Sequence, residues 1–116
     1  MTGHIIVPGL DEIPATLSWY FVTEVLRNQL GFDGIIITDA MNMGAITDYH
    51  TAAEAAVLAI YAGVDMILMP KDFNEAVDGV LWAIDDGIIT HERIRESLTR
   101  ILRAKLTAGM IELPDY

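Results

Sequence analysis

Three short apolar runs constrain this chain more than anything else in it. They are His4-Ile5-Ile6-Val7-Pro8, Gly34-Ile35-Ile36-Ile37-Thr38-Asp39 and Asp65-Met66-Ile67-Leu68-Met69-Pro70. Each is rich in β-branched or long apolar residues and does not alternate with polar ones. That pattern predicts strands buried on both faces, as in a parallel sheet. The runs recur about every thirty residues, the length of one βα unit.

Helical patterns fill the intervals. Residues 16–30 place Leu17, Phe21, Val25 and Leu26 on one stripe, with Thr16 or Ser18 as a cap and Gly31 after the end. Residues 51–62 are rich in Ala, which packs closely on a sheet, and Gly63 follows. Residues 74–86 carry Val77, Leu81 and Ile84, and Gly87 ends them. Thr90 caps a last helix with Ile94, Leu98, Ile101, Leu102 and Leu106 at helical spacing, closed by Gly109. The order β-α-β-α-β-α-α predicts an α/β fold with parallel strands and right-handed crossovers. Its 116 residues fall short of the roughly 250 that a (β/α)₈ barrel needs. The expectation is a partial barrel with two unpaired edges, completed by a missing barrel half or by self-association through those edges.

Composition removes several function classes. No cysteine is present, which excludes disulfides, thiolate catalysis and Cys-based metal sites. Neither a membrane-length apolar stretch nor the basic and apolar regions of a signal peptide occur in the sequence. The net charge of −10 repels polyanions, so neither nucleic acid nor an acidic membrane surface is an expected partner. The compartment does not follow from these features.

Ligands of α/β folds gather at the C-terminal ends of the strands. The segments to weigh are therefore residues 7–11, 38–43 and 69–73, and only one places a carboxylate right at a strand end: Asp39. Partly desolvated yet opening outward, it suits a nucleophile, a metal ligand or a phosphoacceptor. It also suits a plain turn or helix cap, with Asn42 and Gly44 serving the same turn. His4, inside the first run, reads first as a hydrogen-bonded interior residue. His50 and His91 read as a loop residue and a helix-start residue, and the three histidines share no metal-ligand spacing. Met41, Met43, Met66 and Met69 suit a core or a pocket floor. Asp11-Glu12 and Asp85-Asp86 read as solvated acids.

The block Leu26-Arg27-Asn28-Gln29-Leu30-Gly31-Phe32-Asp33-Gly34-Ile35-Ile36-Ile37-Thr38-Asp39 resembles the signature around the nucleophile of glycoside hydrolase family 3. The extension Ala40-Met41-Asn42-Met43-Gly44-Ala45 is similar to the β-N-acetylhexosaminidase branch; the β-glucosidase branch carries an aromatic residue after the Asp. Met1-Thr2-Gly3-His4-Ile5 resembles that branch's sixth strand, residues 62–70 its eighth, and residues 94–105 the helix that follows. The resemblance implies that residues 1–116 are the C-terminal portion, strands 6 to 8, of a family 3 barrel. It implies retaining hydrolysis of β-glycosides, here terminal β-N-acetylglucosaminides, with Asp39 as nucleophile and neither metal nor cofactor. His4, Met41 and Met43 become substrate-pocket candidates. The branch's acid/base histidine and its sugar-gripping Lys-His pair have no counterpart in the sequence, which predicts an inactive isolated chain. Two other readings stay open at this point. One is a receiver-like phosphoacceptor domain, with Lys71 as its lysine but without the expected acidic pair for Mg²⁺. The other is a non-catalytic remnant or partner of a split barrel.

Overall fold

A computed structural model describes residues 1–115. A 3-10 turn, Ala15–Leu17, leads into a π-helix, Tyr20–Gln29. Four α-helices follow: α1, Gly44–Thr47; α2, Ala52–Ala62; α3, Phe73–Asp85; and α4, His91–Thr107. No helix of the described residues is long and apolar enough to cross a membrane.

The expected parallel sheet is not there, and the α/β partial-barrel expectation is corrected on this point. Among the described residues, pairing is confined to two isolated bridges, parallel between Ile37 and Met66 and antiparallel between Val7 and Asp11. The runs do lie side by side. Thr2 N donates to Ile37 O at 2.8 Å, Thr38 N to Met66 O at 3.0 Å and Met66 N to Ile36 O at 3.1 Å. A ladder needs backbone partners at every other residue, and here side chains take two of those places. Ile36 N donates to the Asp65 carboxylate at 2.9 Å, and Leu68 N to the Thr38 hydroxyl at 2.9 Å. Burial on both faces fails too: Ile36 is 2% exposed, but Ile5 is 68% and Ile6 47% exposed.

The first helical stretch is also corrected. Leu30 N donates to Val25 O at 2.9 Å, an i→i+5 bond, where an α-helix over residues 16–30 would make i→i+4 bonds. Aromatic and β-branched side chains crowd residues 19–25 and weaken the preference for the tighter turn. Ser18, one of the two caps the pattern offered, accepts from Phe21 N through Oγ at 3.2 Å, although Trp19 holds the N-cap position of the π-helix.

The later helices follow the pattern closely. Thr51 and Glu54 form a reciprocal capping box on α2, Asp72 caps α3, and Thr90 caps α4. Gly63, Gly87 and Gly109 all take positive φ after helix ends. The Ala-rich face of α2 buries Ala55, Ala59 and Ala62 against Leu17, Val22 and Ile36. The core thus lies between α2, the π-helix and the second run, and the Asp39 turn sits where that run leaves it.

Candidate active site

Asp39 ends the second run, half-buried, one residue past the fully buried Thr38. Its Oδ1 accepts from Ala40 N at 2.8 Å. Oδ2 has no protein donor among the described residues. The turn after it is fixed from both neighbouring runs. Met41 N donates to Leu68 O of the third run at 2.9 Å. His4 of the first run brings Nε2 to 2.8 Å from Ala40 O. At the end of the third run, Met69 adopts φ +48°, a left-handed conformation uncommon for a residue other than Gly.

The residues singled out in the sequence separate here. His4 is half-buried and lies directly against the Asp39 turn. Met41 is 2% exposed and belongs to the core beside Ile36 and Ile46. Met43 is exposed and caps α1 through its backbone. His50 is half-buried in the loop before α2, and His91 is exposed at the start of α4. Asp11 is no freely solvated acid, since it accepts the Ser18 hydroxyl.

One charged centre was missed. The Asp65 side chain is fully buried and collects Arg27 Nη2 at 2.6 Å, Ser97 Oγ at 2.7 Å, Ile36 N at 2.9 Å and Arg100 Nη1 at 3.0 Å. Arg93 closes the group, donating to Ile60 O and Val64 O while standing 4.0 Å from the carboxylate. Burial alone raises the Asp65 carboxyl. The Ile36 amide, Ser97, Arg100 and the Arg27 charge outweigh it and hold the group below the usual carboxylate range. For Arg27 and Arg93 burial prevails, and both sit below the ordinary arginine value despite the attraction of Asp65. A usable signal was present: Asp65 is the lone charge between Val64 and Leu68, and a charge in an apolar run demands partners.

Residues 1–104 match the N-terminal domain of glycosyl hydrolase family 3. The β-N-acetylglucosaminidase/β-glucosidase of Cellulomonas fimi is 31% identical over 121 residues, covering 95% of this chain and 22% of that protein. A β-hexosaminidase of Chromobacterium violaceum is 33% identical over 119 residues, covering all of this chain and 32% of its own length. The crystal structure of the β-N-acetylglucosaminidase from Thermotoga maritima superposes with a TM-score of 0.83 at 31% identity, over 89% of this chain and 24% of that one. The chain therefore spans about a fifth to a third of the length of these relatives.

Proposed function

The chain belongs to glycosyl hydrolase family 3, and we propose that Asp39 is the nucleophile of a retaining β-glycosidase site that takes terminal β-N-acetylglucosaminides. The observation that carries this reading is the state of the Asp39 carboxylate. One oxygen is held by the Ala40 amide and the other has no protein donor among the described residues, at the point where the run leaves the core. A nucleophile needs this combination, one oxygen anchored for aim and one lone pair free to attack. The names of the relatives support the sugar.

In the proposed reaction Asp39 Oδ2 bonds to the anomeric carbon as the C1–O bond to the leaving group breaks. A general acid protonates the departing oxygen. Water, deprotonated by the same group, then displaces Asp39 and restores the original configuration. No residue of this chain is assigned the acid/base role. General acid–base catalysis contributes about 10²–10⁴-fold, so the isolated chain is expected not to turn over 4-nitrophenyl N-acetyl-β-glucosaminide. Robust turnover by the isolated chain, abolished in Asp39→Ala, contradicts that.

The nucleophile itself is tested in a chimera in which residues 1–104 replace the matching stretch of the Thermotoga maritima enzyme. Asp39→Gly is expected to lower kcat by about 10³-fold or more. Azide is expected to restore turnover and to yield a glycosyl azide of inverted configuration. An Asp39→Gly chimera as active as its parent sinks the assignment.

A further inference from the structure

The ring of His4 has no nitrogen to spare. Nε2 lies 2.8 Å from Ala40 O, and Nδ1 lies 3.0 Å from Thr16 Oγ1. A carbonyl oxygen offers no proton, so Nε2 carries the hydrogen and donates it. Thr16 is fully buried, and its hydroxyl also meets Gly3 O at 3.0 Å and Thr2 Oγ1 at 2.9 Å. A hydroxyl supplies one proton and two lone pairs. With a neutral ring, Thr16 gives its proton to Nδ1 only by giving up the bond it donates to Gly3 O. With a charged ring, Nδ1 donates to Thr16, whose proton passes to Gly3 O. In both cases the bond from Nε2–H to Ala40 O is kept.

Ala40 is the handle on Asp39. Its N–H holds Asp39 Oδ1 at 2.8 Å, its C=O is held by His4, and the next amide, Met41 N, is held by Leu68 O at 2.9 Å. The Ala40–Met41 peptide plane is thus fixed from both the first and the third runs, and the Ala40 N–H that holds Oδ1 belongs to the preceding plane, joined to it at the Ala40 Cα. Removing the imidazole leaves that plane held by Leu68 O alone and, through the Ala40 Cα, loosens the amide that anchors Oδ1.

We propose that His4 is a positioning residue for Asp39, acting through the Ala40–Met41 peptide with its Nε2–H form set by the Ala40 carbonyl, and not a ligand of the sugar. Its importance to catalysis rests on the reading of Asp39 as nucleophile; the hydrogen bond itself does not.

The test is nitrogen NMR of the His4 ring in the isotopically labelled full chain, with two variants. Wild type is expected to show the Nε2–H tautomer, or the doubly protonated ring, with a coupling across the bond to the Ala40 carbonyl. An Nδ1–H tautomer, or an Nε2 proton exchanging as fast as in free imidazole, overturns the proposal. His4→Leu is expected to shift both the Asp39 carboxyl carbon and the Ala40 amide signals. His4→Gln, whose amide N–H reaches the same carbonyl, is expected to return them towards wild type. If both signals stay in place in His4→Leu, the positioning role is refuted. Should His4→Leu fail to fold, the wild-type ring measurement and the Gln variant decide. A failed azide rescue at Asp39 removes the nucleophile assignment and leaves the His4 bond standing, so the two failures are distinct.

Discussion

Asp65 carries the buried side chain around which three arginines, Arg27, Arg93 and Arg100, gather. It joins the π-helix through Arg27, the second run through the Ile36 amide, and α4 through Ser97 and Arg100. Breaking a buried pair by removing one partner leaves uncompensated charge and costs about 3–5 kcal/mol. Asp65→Ala is expected to lose that much in urea unfolding. By contrast Arg95→Ala, which removes the exposed pair with Glu92, is expected to lose less than about 1 kcal/mol. Equal losses would mean that the buried cluster adds nothing. The sign of the pH effect follows from the lowered Asp65 carboxyl. A group whose folded value lies below its unfolded one, about 3.9 for Asp, stabilises the fold above that value and stops doing so as pH falls through the folded one. Stability is therefore expected to drop below about pH 4, and Asp65→Asn to flatten that limb. An unchanged acid limb in Asp65→Asn would place its origin elsewhere. At this scale the place of Asp39 at the exit of an apolar run was legible, and its role is the proposal made above. The partners of Asp65 were not, because Arg27 and Arg100 stand 38 and 35 residues away in sequence.

Among the elements, the helices from α2 onward were readable, while the π-helix, α1 and the strands were not. A helix satisfies its backbone within its own segment, so caps such as Thr51, Asp72 and Thr90 and the periodic apolar stripes carry the information locally. A strand depends on another segment for every rung. The β-branched run at residues 34–39 states a preference that its neighbours must complete, and the Asp65 carboxylate and the Thr38 hydroxyl take rungs that a ladder would use. The contact between α2 and α3 gives a sharper test. Gly79 lies within α3, where Gly→Ala ordinarily gains up to about 1 kcal/mol. A Cβ built on Gly79 would stand 2.6 Å from Ala53 Cβ and 2.8 Å from Ala53 Cα. The sign is expected to reverse, with Gly79→Ala losing about 1–3 kcal/mol through overpacking in urea or thermal unfolding. A stabilised Gly79→Ala would show that the two helices separate freely.

As a whole molecule the chain keeps apolar surface that a closed core would hide. Its radius of gyration is 14.7 Å, against about 13 Å expected for a compact domain of this length. Along α3, Phe73, Val77 and Leu81 recur every four residues and stay exposed, with Trp82 beside them. Phe73, Val77 and Leu81 line an open groove of about 300 Å³ with Ile60, Ile67 and Ala56. Such a patch favours association, while a net charge of −10 per chain opposes bringing two copies together. Salt decides between these effects, because the Debye length contracts from about 30 Å at 0.01 M to about 3 Å at 1 M while apolar contact does not weaken. The isolated chain is therefore expected to sediment nearer monomer mass at the low ionic strength and to gain mass at the high one. Leu81→Glu, placing a charge in the middle of the stripe, is expected to hold it at monomer mass in both. If instead the mass falls as salt rises, association runs through ion pairs, and the α3 face has no part in it.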